Sequence, residues 1–123
     1  MITESGFNII RDLFTGRSSK VFSATEARIA IGNSSTAATT GDTALVSETI
    51  RIAMDAGYPA NTPTKTVSFQ AVAQSADALS HWVEFGIFNS SGGGTLLDRI
   101  VSDKGTKSSG EVWTVKITQT FSG

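Results

Sequence analysis

His81-Trp82-Val83-Glu84-Phe85-Gly86-Ile87-Phe88, then Asn89-Ser90-Ser91-Gly92-Gly93-Gly94, then Thr95–Ser102, is the stretch that decides the fold. Eight residues apolar on both sides are followed by turn chemistry alone and then by a second apolar run. Val83, Phe85 and Ile87 fall on one face of an extended chain, with Trp82 and Phe88 on the other, so the segment reads as a central strand covered on each side. Three glycines allow whatever positive φ the turn requires, which makes the unit a hairpin.

The same period continues outward. In Thr64–Gln74, Val67, Phe69, Ala71 and Ala73 alternate with Ser68, Gln70 and Gln74. In Glu111–Phe121, Trp113, Val115, Ile117 and Phe121 alternate with Thr114, Lys116, Thr118 and Thr120. Lys104–Gly110 supplies the intervening turn. Lys20–Ile31 reads as another strand, and Asn33–Asp42 as a small-residue loop with nothing in it to pack. Gly57–Pro63 is a loop, since each proline biases its predecessor to extended geometry. Thr43–Asp55 stays open, because Leu45, Val46, Ile50, Ile52 and Met54 also allow a helical turn before a strand. Short strands this closely spaced predict an all-β fold, an antiparallel β-sandwich of jelly-roll-like kind, over residues 20–123.

Residues 1–19 form an N-terminal arm. Phe7, Ile10 and Phe14 recur at spacings of three and four, with Ile9 and Leu13 on an adjoining face, as on a short amphipathic helix, and Gly16 stands where an αL terminator would. Too short to hold itself, the arm must dock on something. It either covers an open end of its own sandwich or reaches a neighbour through Phe7, Ile10, Leu13 and Phe14, the candidate partner contacts.

Composition narrows the chemistry. A chain of 123 residues with 39% hydrophobic content, seven Phe and two Trp is one folded domain. A formal net charge of −1 gives no electrostatic case for nucleic acid. Roughly a quarter of the residues are Ser or Thr, which suits wet sheet faces. With no cysteine there is no disulfide, thiolate zinc site or cysteine nucleophile, in keeping with assembly in a reducing cytoplasm. No run approaches the ~18 apolar residues of a membrane span, and Met1–Glu4 lacks the features of a signal peptide.

Catalytic motifs are hard to find. His81 is the single histidine, without paired metal-ligand spacing or a Gly-x-Ser-x-Gly elbow, and reads as a strand-edge residue near solvent. Gly92–Gly94 precedes a strand, not a Lys-Ser/Thr and a helix, so it is no phosphate loop. Glu84, embedded in an apolar strand, needs a partner, and Arg99 lies across the hairpin. Asp55, Asp98 and Asp103 fall near turns. Neither catalytic residues nor a cofactor or metal site are expected.

Ala30-Ile31-Gly32-Asn33, Asp42-Thr43-Ala44-Leu45 with Glu48 and Arg51, then Glu84–Asn89, Gly93–Arg99 and the closing Trp113–Thr120 take in most of the chain. In this order they resemble segments recurrent in small virion proteins of tailed bacteriophages. The resemblance implies a non-enzymatic β-sandwich of the virion, either a capsid decoration (cement) protein or a tail-fibre or baseplate adaptor. Tail-fibre members often continue into repetitive shafts, so a single compact domain is expected to be capsid-bound or an adaptor. A homotrimer on the major capsid protein at local three-fold positions is the first expectation. A carbohydrate-binding module using Trp82, Tyr58 or Trp113 is the other candidate class.

Overall fold

A computed structural model describes residues 1–121, so the last two positions of the expected 20–123 domain lie outside the described residues. The chain runs α1 (Glu4–Phe14), β1 (Arg28–Gly32), β2 (Glu48–Ala53), β3 (Ala60–Thr62), β4 (Thr66–Ala73), β5 (His81–Phe88), β6 (Leu96–Thr106) and β7 (Trp113–Thr120). These strands make two antiparallel sheets, β2-β1-β5-β6 and β3-β4-β7, stacked as a sandwich. The all-β expectation holds. Between the sheets, Ile29, Ile31, Phe69, Ala71, Phe85, Ile87, Leu97 and Ile117 form one buried cluster. Val67, Trp113 and Val115, on the apolar side of the alternation in β4 and β7, are only partly buried and pack against its margin.

Several boundaries differ from the sequence reading. The Lys20–Ile31 strand begins only at Arg28, because the Ser23 carbonyl and hydroxyl take the amides of Glu26 and Ala27 into a local turn. Thr43–Asp55 resolves into loop and then strand β2. The Gly57–Pro63 loop contains the short edge strand β3, and β6 runs on through Lys104 to Thr106.

One face assignment is corrected. Trp82 joins Phe85 and Ile87 in the inter-sheet core, whereas Val83 is buried outside that cluster. The register shifts between Trp82 and Glu84, where β6 carries extra residues, and the bulge flips the alternation. Phe88 keeps its expected side, packed with Ala30, Leu45 and Leu96 on the second face of the sheet.

That second face is sealed by residues 33–47, whose Asn33–Asp42 part the sequence reading left with nothing to pack. Glu84 and Arg99 bond at 3.0 Å with both side chains fully buried, as the isolated carboxylate required. The Glu84 carboxylate also accepts amides from Ser34 (3.2 Å), Val46 (2.9 Å) and Ser47 (2.7 Å). Arg99 donates to the carbonyls of Thr36 (2.8 Å) and Ala37 (3.3 Å) and to Asp42 (3.0 Å). Gly32, paired with Glu84, leaves room for this: a Cβ there would sit 2.5 Å from the carboxylate and 2.4 Å from the Ser47 carbonyl. Apart from Leu45, which packs by its side chain, the loop is thus held through its backbone.

The amide and hydroxyl of Thr39, with Arg99 beside them, lower the Asp42 pKa below the ordinary aspartate value. Such a group contributes stability that is complete above its unfolded pKa of about 3.9 and is lost as pH falls through the lower folded value. Acid titration followed by amide NMR is expected to release Thr39–Asp42 below about pH 4. In Asp42→Asn the same resonances should no longer titrate there.

The β5–β6 turn is fixed in a similar way. Arg51 lies 3.6 Å above the Phe88 ring, pairs with Glu48 at 2.7 Å and donates to the carbonyls of Ser90 and Gly93. This hairpin tip is anchored to the sheet despite its glycines.

Candidate functional site

Two surfaces remain unfilled once the core is accounted for. The first is the outer side of α1. Thr3 caps this helix, its hydroxyl accepting from the Gly6 amide at 2.9 Å and donating to the Leu96 carbonyl at 2.6 Å. The Thr3 amide bonds the Leu97 carbonyl at 3.0 Å, and the Met1 amino group meets the Asp98 carboxylate. Gly6 rests directly on β6, where a Cβ would fall 2.3 Å from the Leu97 carbonyl oxygen. The arm is therefore docked on its own sandwich.

Docking separates the four candidate contact residues. Ile10 packs against the inter-sheet core, beside buried Ile9, and Leu13 is half-buried. Phe7 and Phe14 point outward, 58% and 91% exposed. Seven residues apart, they stand two turns from each other on one face. Arg11 lies between them, with its charge met by Asp12 at 3.0 Å. The free apolar face is thus the phenylalanine pair alone.

The second surface is a groove of ≈ 730 Å³ between β6 and β7. In the facing layers β4 lies against β1 and β2. β7 lies over β5, with Trp113 edge-on to Trp82 at 5.0 Å. β6 makes no close backbone contact with the other sheet and looks across the opening toward β7. Helix α1 covers the side near Leu97, and the opening extends from Ile100 past Ser102 to Lys104. Opposite stand Val112–Thr118, and Phe85 and Trp82 form the floor. Sequence reading missed this groove, although the exposed alternation of Val112–Thr118 belongs to it. Lys104 and Lys116 are the charged residues of the lining, and no carboxylate joins them.

His81 bonds Asp103 at 2.7 Å, with both side chains well exposed, as expected of a strand-edge histidine. Asp103 is held below the ordinary aspartate pKa by the Gly105 amide first and His81 second. Among the described residues no three His, Cys, Asp or Glu side chains gather as metal ligands. Of the three aromatics considered for sugar stacking, Trp82 is buried, Trp113 meets Trp82 edge-on, and Tyr58 lies half-buried beneath Lys116.

Comparison with known proteins finds no matching family model, no matching curated protein and no matching solved structure.

Proposed function

We propose that this chain is a non-enzymatic structural protein of a tailed-bacteriophage virion, a decoration or cement protein on the outer capsid. It would sit there as a homotrimer at local three-fold positions. The observation that carries the reading is the outward phenylalanine pair, Phe7 and Phe14, on a helix bonded firmly to a rigid sandwich. Large aromatic side chains held in water on an ordered helix mark a docking face. The repeated segments of the resemblance supply the virion context. Many copies on a shell need only modest affinity each, because occupancy accumulates over neighbouring contacts. The sugar-binding reading is less well supported, since Trp82 is buried, Trp113 packs edge-on against it and Tyr58 is half-buried beneath Lys116.

The test is the double variant Phe7→Ser/Phe14→Ser. Stability should change by no more than about 0.5 kcal/mol for each surface site. Occupancy on purified virions should fall at least about tenfold, the equivalent of one lost hot-spot contact. Wild-type occupancy by the double variant would overturn the contact. Recovery of the wild-type protein with tails and not with capsids would replace decoration by the adaptor role.

A further inference from the structure

The sandwich lacks one strand. Four strands in one sheet face three in the other, and the edge strand β7 borders the opening that β6 lines from the opposite side. Val112 and the next six residues, Trp113–Thr118 of β7, line the groove, with inward and outward side chains alike. An opening that touched only the inner face would be lined by alternate residues, as Ile100, Ser102 and Lys104 do on β6. The groove therefore reaches the backbone edge of β7, whose one ladder is with β4. The spacing between stacked sheets, about 10 Å, suits an added strand with one face turned inward.

Charge identifies the occupant. Lys104 and Lys116 border the groove without an ion-pair partner among the described residues, and no acidic side chain lines it. A second copy would bring its own Lys116 or Lys104 edge against these lysines, and like charges across a strand pair are unfavourable. We propose that the β6–β7 groove receives an extended segment of another polypeptide. This segment adds to β7 as a fourth strand, turning aliphatic side chains inward and presenting carboxylates on the outer face, where Lys116 stands, while Lys104 at the end of the β6 lining adds a second positive charge. Backbone pairing supplies affinity and the alternating side chains supply selectivity. The inference concerns a surface distinct from the phenylalanine pair, and it is tested on the isolated protein, so its failure leaves the capsid reading untouched.

Two synthetic peptides about as long as β7 serve as probes, one alternating valine with glutamate and the other valine with lysine. Isotope-labelled protein titrated with the valine–glutamate peptide should show amide shifts and slowed hydrogen exchange along Trp113–Thr120, with smaller shifts at Ile100–Lys104. The valine–lysine peptide should bind at least about tenfold more weakly, and added salt should narrow the difference. Lys104→Glu/Lys116→Glu, checked for an unchanged melting temperature, should reverse the preference. Equal affinity for the two peptides, binding by neither, or shifts confined to other strands would overturn the proposal. Self-association through the groove that excludes both peptides would overturn it as well.

Discussion

Glu84→Ala is expected to lower folding stability by about 3–5 kcal/mol, the range for removing one partner of a buried ion pair. The carboxylate is fully buried, and one side chain satisfies Arg99 and three backbone amides at once. Without it the Arg99 guanidinium stays buried with Asp42 and two carbonyls, and the amides of Ser34, Val46 and Ser47 lose their acceptor. Urea unfolding measures the loss directly. A drop under about 1 kcal/mol would mean that water enters and replaces the missing contacts. A companion variant, Glu84→Leu/Arg99→Met, separates charge from packing. Removing both charges should recover part of the stability while freeing the loop 33–47, which would then be cut readily by protease.

Phe85→Ala carries the other large effect, about 3–5 kcal/mol for an aromatic ring deleted from a packed core. Phe85 is 5% exposed, stands across from Ile31 on one side and Ile100 on the other, and meets Trp82 edge-to-face at 6.1 Å. Its ring also floors the β6–β7 groove, so the cavity would open to solvent and could partly fill with water. Chemical unfolding with an unchanged denaturant slope is the expected signature of a pure stability loss. A loss below about 1 kcal/mol would place Phe85 outside the core.

Much of this architecture is written in local alternation. β4 and β7 were readable because Trp113–Ile117 obeys period two throughout and Val67–Ala73 departs from it only at Val72. The Glu84–Arg99 pair was readable because a carboxylate in an apolar strand demands a partner and the hairpin offered one. Trp82 was assigned to the wrong face because a bulge depends on the number of residues in the opposite strand, which β5 alone does not encode. The packing role of residues 33–47 was missed because most of their contacts are made by amides and carbonyls, which every residue possesses. The candidate surfaces divide in the same way. Phe7 and Phe14 were named among four contacts, but the inward turn of Ile10 became apparent only against β6. The groove is a vacancy between strands far apart in sequence, and no single segment records an absence.

The Thr3–Leu97 bond has a consequence for the order in which the molecule comes together. Thr3 and the carbonyls that receive it are separated by more than ninety residues of chain. During synthesis the helix leaves the ribosome well before β6, which forms its seat. The hairpins β1–β2, β3–β4 and β5–β6 can form from neighbouring sequence, whereas β1–β5 and β4–β7 must wait for distant partners. Ile9 and Ile10 therefore wait without their berth, and the growing chain carries a bare apolar segment, too short to hold itself as a helix, until β6 is made.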